Sequence, residues 1–208
     1  MPMTWGNSLN PATLIDQLAA AGIEPLPDPV AGDAYRCAAT LVDGTYLPCI
    51  AVRRVGRYAD RLREMFDAEA RGAGSYRLTA DPIREALKSQ LAGPNRVSAY
   101  SIDRIEPSPF AIPRGLLEQI SGETAMSLWL FSLETHDARR FLFSASNYGE
   151  LLFFDLPEGV KFSDFTKVHS LSRGKRAPKG AQYEARPYFE CFVDDEPFQA
   201  DLSKLSLE

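Results

Sequence analysis

The feature that most constrains this chain is a β-hairpin signal in its first quarter. Two runs of strand-forming residues, 35–42 and 45–52, flank the pair Asp43-Gly44. A two-residue type I′ turn requires positive φ at both central positions, and Asp-Gly is one of the pairs that meets this requirement. The pattern therefore predicts a hairpin with a two-residue turn, and so an antiparallel pair of strands at the start of the fold.

This turn also predicts the register of the hairpin, since it pairs Val42 with Thr45. In that register Cys37 and Cys49 lie on opposite faces, which excludes a disulfide between them. The face with Cys37 carries the larger apolar side chains and is the predicted core face, whereas the face with Cys49 is more polar. Pro48 has no N–H to donate, so its strand is expected to be an edge strand or to contain a bulge.

A second antiparallel unit is predicted as a meander at about 127–156. Its first two strands flank a turn at 136–138, and an odd number of loop residues places one set of apolar side chains on a single face: Trp129, Phe131, Leu133, Phe141 and Phe143. An even number of loop residues would place Arg140 among these aromatic rings. That register is disfavoured because it would bury a charged side chain. Residues 151–156 are the predicted third strand, and 183–193 are a predicted C-terminal strand.

Helices are predicted between these strands. Asn10-Pro11 is a helix-start signal, because Asn caps free N–H groups and Pro at the first helical position has none to leave unpaired. Apolar spacing predicts further helices at 56–70 and 81–93 and a short one near 114–120. The expected fold class is therefore α+β: a mainly antiparallel sheet packed with three or four helices. Residues 1–208 are predicted to form one domain, with an internal seam at 107–113.

Composition excludes several function classes. The chain has 208 residues, 45% of them hydrophobic, and a formal net charge of -5, which argues against a disordered chain and against nucleic-acid binding through overall charge. Its apolar clusters are too short to span a membrane, and no signal peptide is recognised. Three cysteines without a CxxC pair indicate a reducing compartment, so a cytoplasmic location is expected.

Cys49, His136 and His169 are the candidate catalytic residues. A cysteine nucleophile needs a base within hydrogen-bond reach, and with two histidines in the chain a structural thiol is the favoured interpretation of each cysteine. His136 lies beside Asp137, which could orient it as a general base, although polar turn residues are usually just solvated. The two histidines lack the spacing of a zinc site, so no metal and no cofactor are predicted.

The candidate ligand-binding residues lie in one basic loop, 173–180. Four cations occur there with two glycines and no acid: Arg173, Lys175, Arg176 and Lys179. The spacing is not that of a phosphate-binding P-loop, and no GxGxxG occurs in the chain. Such a loop could contact a phosphate or an acidic protein surface, although a solvated loop is the simpler interpretation.

Three functional hypotheses follow. The first is a non-enzymatic interaction protein that binds another protein or a small anionic ligand. The second is an enzyme, a hydrolase or transferase, whose acid–base residues come together from distant segments, with His169 or His136 as the base. The third is local binding of RNA or phosphate through residues 173–180. The sequence favours the first hypothesis and leaves the oligomeric state open.

Overall fold

The computed structural model describes residues 9–27, 32–54, 95–121, 128–145, 153–171 and 182–193, together with the single positions 56, 67, 71 and 124. Of these residues, 48% lie in strands and 18% in helices. The helices predicted at 56–70 and 81–93 lie outside the described residues, apart from isolated positions of the first.

The predicted fold class is wrong, because the described part of the chain is mostly β and forms two sheets. Three or four packed helices are not supported: one helical stretch of ten residues is present in the described part. It consists of a 3-10 turn, Pro11–Thr13, followed by helix α1, Leu14–Ala20. Helix α2, Arg114–Leu117, is a single turn. The aromatic segments instead pair edge to edge as strands, where alternate side chains share one buried face.

Helix α1 begins as its sequence predicts and is followed by a glycine. The Asn10 side chain accepts a hydrogen bond from the N–H of Ala12 at 3.0 Å, and Pro11 occupies the first helical position. Gly22 adopts a φ of 73° two residues after the helix ends, the left-handed conformation that glycine accommodates without strain. The helix buries one apolar stripe: Leu14, Ile15 and Leu18.

The described strands have the following bounds: β1 Pro25–Leu26, β2 Ala34–Leu41, β3 Tyr46–Arg54, β4 Ile102–Pro107, β5 Trp129–Thr135, β6 Arg140–Ala145, β7 Phe165–Ser170, β8 Gln182–Glu184 and β9 Phe189–Val193. The first sheet has the order β1-β2-β3-β9, with β4 also paired to β2. The second sheet has the order β7-β5-β6-β8. Two of the pairings, β3 with β9 and β6 with β8, are parallel, and the sheets are therefore mixed.

The predicted hairpin is present as β2 and β3, but its turn is different. The Leu41 N–H donates to the carbonyl of Thr45 at 2.8 Å, so the loop has three residues. Gly44 has a φ of 87° whereas Asp43 has a negative φ, which excludes a type I′ turn and fits a type I turn followed by a left-handed glycine. Near the turn, the pairing of the two strands differs from the predicted register. The register shifts opposite Pro48, and at Cys37, which pairs with Ile50, it matches the prediction. Of the two alternatives predicted for the strand with Pro48, the register shift fits a bulge, because β3 pairs on both sides and is not an edge strand.

Both faces of the hairpin are buried, so the prediction of a single core face is wrong. The face with Cys37 packs against helix α1. The face with Cys49 packs against residues of the second sheet, and the small side chains of Ala34 and Ala51 allow this close approach. Cys37 and Cys49 lie on opposite faces, as predicted, and each belongs to a different apolar cluster.

The second sheet contributes an aromatic core to the cluster that contains Cys49. The rings of Phe131 and Phe143 stack with centroids 5.6 Å apart, and Phe154 meets them edge-on at 5.6 and 5.7 Å. Phe131 pairs with Phe143 in the β5–β6 register. The Thr135 N–H donates to the carbonyl of Arg139, so three residues, 136–138, follow the last hydrogen-bonded pair, which confirms the predicted odd loop. As expected, this register leaves Arg140 away from the rings.

Two strand predictions near the C-terminus are wrong. In the described part of the predicted third strand, Phe153 and Phe154 form isolated bridges, and the second neighbour of β6 is β8 instead. The predicted strand 183–193 is divided: β8 joins the second sheet and β9 joins the first. Each segment satisfies its backbone hydrogen bonds with a strand distant in sequence, which a local pattern does not encode.

Residues of the predicted seam at 107–113 contact the first sheet and the apolar cluster that includes residues of the second sheet. The Ser108 hydroxyl donates to the carbonyl of Pro48 at 2.6 Å, and Ala111 bridges to Phe153. The division of the chain into domains stays a prediction.

No described helix has the length and apolar character needed to cross a membrane.

We expect the Phe143→Ala substitution to destabilise the fold by about 3–5 kcal/mol, because the ring is fully buried and its loss leaves a cavity between the sheets. Urea denaturation monitored by circular dichroism measures the change. Phe189→Ala is the control, since Phe189 is 36% exposed and its truncation should cost well under half as much. Equal losses for the two variants would contradict a core centred on Phe143.

Candidate functional site

The outward face of the second sheet carries the charged side chains of the candidate site. Inward positions on β5 belong to the aromatic core, so Glu134 lies on the opposite face. Its register partners are Arg140 on β6 and Lys167 on β7. His169 lies two residues beyond Lys167 on the same strand and therefore on the same face. One carboxylate thus lies between two cations and beside an imidazole.

Glu134 joins His169 to Arg140 through one oxygen atom. Arg140 Nε donates to Glu134 Oε2 at 2.6 Å, and His169 Nε2 lies 2.8 Å from the same oxygen. The hydrogen bond from Arg140, followed by that from His169, lowers the pKa of Glu134 below its ordinary value. Glu134 is therefore ionised at neutral pH and holds both neighbours in place.

This arrangement can support two kinds of chemistry. An imidazole oriented by a carboxylate can accept or donate a proton, as a general base or acid does. Cations held in a fixed orientation can instead bind an anion with little loss of side-chain entropy. The side chain of His169 is 28% exposed and that of Glu134 is 19% exposed, so both remain accessible from the surface.

His136 is placed differently from His169. It is exposed in the β5–β6 turn, where its Nδ1 lies 3.2 Å from the carbonyl oxygen of Asp164. Asp137 bonds to the hydroxyl of Thr135 and, at 2.8 Å, to Nε of Arg139. The carboxylate expected to orient His136 is therefore engaged with other residues.

The three cysteines are buried and free. Burial raises the pKa of Cys49 to about 11, although the Arg186 guanidinium and a hydrogen bond with Ser108 oppose this shift. Burial also raises the pKa of Cys191 to about 12 and, together with Cys191, raises that of Cys37. All three thiols are therefore protonated at neutral pH, and Cys49 lacks the thiolate that a nucleophile needs.

The four cations of the basic loop, Arg173, Lys175, Arg176 and Lys179, lie outside the described residues. The described chain reaches this segment from β7 at Leu171 and leaves it at Gln182 on β8. Strands β7 and β8 are the two outer strands of the second sheet. The segment is thus attached at both ends to the sheet that carries Lys167 and His169.

Sequence reasoning named His169 but missed its partners. The odd loop after β5 already implies that Glu134 pairs with Arg140, and this signal was available in the spacing. The contact with His169 was not predictable in this way, since residues 165–170 were not predicted as a strand. The carboxylates of Glu134 and Asp155 bind different arginines: Asp155 binds Arg186, whose guanidinium lies 4.0 Å from the centre of the Phe110 ring.

Among the described residues, no group of three or more His, Cys, Asp or Glu side chains is arranged to hold a metal ion. No protein-family model, curated protein or solved structure matches this chain.

We expect the three thiols to resist alkylation by iodoacetamide in the folded protein at pH about 8, because burial keeps them protonated. Mass spectrometry should show three modifications only after denaturation. Rapid modification of Cys49 in the folded state would contradict its burial, and a free cysteine peptide under the same conditions controls for the reagent.

We expect the Glu134→Gln variant to lose a pH-dependent part of stability. A carboxyl whose folded pKa is lowered stabilises the fold above its ordinary pKa, near 4.5, and loses this contribution as pH falls through the lowered value. The wild type should therefore exceed the variant in stability at neutral pH, and the difference should shrink in acid. Chemical denaturation across pH measures this difference. Glu158→Gln, at an exposed position, should show no such trend.

Proposed function

We propose that this chain is a cytoplasmic, non-enzymatic interaction protein that binds another protein or a small ligand through an anionic group. The observation that carries the proposal is the position of the basic segment 173–180 directly after β7, the strand that carries Lys167 on the outward face. Lys167 and His169 lie on the outward face of the second sheet, and the chain then continues directly into a segment with four cations and no acid.

The distribution of charge supports a local contact. The whole chain has a formal net charge of -5, so an anionic partner is repelled by most of the molecule. The basic segment 173–180 and strand β7, which precedes it, carry positive charge instead. Complementary potential of this kind directs encounters to one region and suppresses other orientations.

The state of the thiols supports a role without covalent catalysis. Cys37, Cys49 and Cys191 are buried and protonated, as structural thiols are.

Reversal of charge in the basic segment tests this proposal. We expect the variant with Arg173→Glu, Lys175→Glu, Arg176→Glu and Lys179→Glu to lose the partners that the wild type captures from its native cell extract. Capture by the wild type should also weaken steeply as salt is raised, because ions screen the attraction.

The matched control keeps the charge: a variant with Arg173→Lys and Arg176→Lys should capture the same partners as the wild type. Capture that is unchanged by charge reversal would overturn the proposal. Circular dichroism on each variant separates loss of binding from loss of folding.

A second candidate function is supported by the hydrogen bond between His169 and Glu134. Its geometry suits general acid–base catalysis, with His169 as the proton carrier and Glu134 as the group that orients it. A panel of hydrolase and transferase substrates tests it: turnover that His169→Ala abolishes without unfolding the protein would favour the enzyme over the interaction protein.

A further inference from the structure

We infer that the outward face of the second sheet contains a binding site for a phosphate monoester on a partner protein, formed by Arg140, Lys167 and His169 around Glu134. This inference rests on the proposed function, and it names the anionic group and the described residues that would bind it. It uses the sheet face rather than the basic segment 173–180.

The register of the sheet brings the two permanent cations within reach of one ligand. Lys167 and Arg140 are both direct register partners of Glu134, from opposite sides. Neighbouring strands are about 4.8 Å apart, so the Cα atoms of these two residues are about 10 Å apart. Both have long side chains, which can converge above Glu134 from the two sides.

Glu134 orients Arg140 and His169 without using all their donors. Its Oε2 accepts from Nε of Arg140 and contacts Nε2 of His169. Within the described part of the chain, the terminal amino groups of Arg140 and Nδ1 of His169 have no hydrogen-bond partner, and the Lys167 ammonium forms no ion pair. The side chain of Arg140 is 59% exposed, so its terminal amino groups can reach a ligand.

The balance of charge favours a phosphate monoester over a carboxylate. Two permanent cations and an imidazole face one carboxylate, which leaves at least one uncompensated positive charge. A phosphate monoester carries about -1.5 to -2 charges at neutral pH and has three acceptor oxygens. The terminal amino groups of arginine match such oxygens in a two-point contact, while lysine adds a point charge.

Titration calorimetry with three probes tests the inference: inorganic phosphate, a phosphoserine peptide and the same peptide without phosphate. We expect the wild type to bind inorganic phosphate weakly and the phosphopeptide more tightly, and not to bind the unmodified peptide. In the Arg140→Gln, Lys167→Gln variant, affinity for both phosphate probes should fall about tenfold or more, since two charge-assisted contacts are removed.

The matched control is the Arg104→Gln, Lys161→Gln variant, which removes one exposed arginine and one exposed lysine outside this face. It should bind as the wild type does. In NMR spectra, the His169 ring resonances should shift on addition of phosphate to the wild type. Phosphate affinity that is equal in the two double variants, or an absence of binding by either phosphate probe, would overturn the inference. Preference for inorganic phosphate over the phosphopeptide would also overturn it, because a free ion would then be the ligand.

Failure of this inference is distinguishable from failure of the proposed function. If charge reversal at 173–180 abolishes partner capture while the Arg140→Gln, Lys167→Gln variant binds phosphate normally, only the phosphate site is excluded. If the double variant loses binding of the phosphopeptide while partner capture is insensitive to both sets of substitutions, the phosphate site stands and the proposed function fails.

Discussion

The packing of Phe131 and Phe143 against Phe154 is the contact on which the described structure depends. These rings lie in an apolar cluster that includes residues of both sheets, and each is fully buried. The first sheet meets this cluster with small side chains, Ala51 and Cys49, which allow the aromatic rings to approach its backbone closely. Burial of large apolar surface between two sheets supplies the stabilisation that each sheet alone would lack.

The C-terminal strands connect this core to both sheets. Strand β8 lies parallel to β6, and β9 lies parallel to β3, so residues 182–193 cross from one sheet to the other. The crossing is held by Arg186, which binds Asp155 and stacks on Phe110. A connection of this kind makes the position of each sheet dependent on the other. It also leaves β7 and β8 as the two outer strands of the second sheet.

The charged face of the second sheet is a consequence of the aromatic core. Because the side chains of a strand alternate, burial of Phe131 and Leu133 places Glu134 on the outward face. Register then pairs it with Arg140 and Lys167, and the bulge-free part of β7 brings His169 to the same carboxylate. Packing therefore determines which polar groups meet, and their charges determine what they can bind. The proposals for an anionic partner and for a phosphate site both follow from this placement.

The sequence by itself determined the features that depend on neighbours in the chain. These are the cap at Asn10, the odd loop after β5 and the opposite faces of Cys37 and Cys49, since each follows from local backbone geometry or from the two-residue period of a strand. Only the tertiary structure decided that both faces of the first hairpin are buried, that residues 182–193 divide between two sheets, and that His169 meets Glu134, 35 residues away. These features depend on pairing between distant strands, where long-range packing selects the partner and no local period records it.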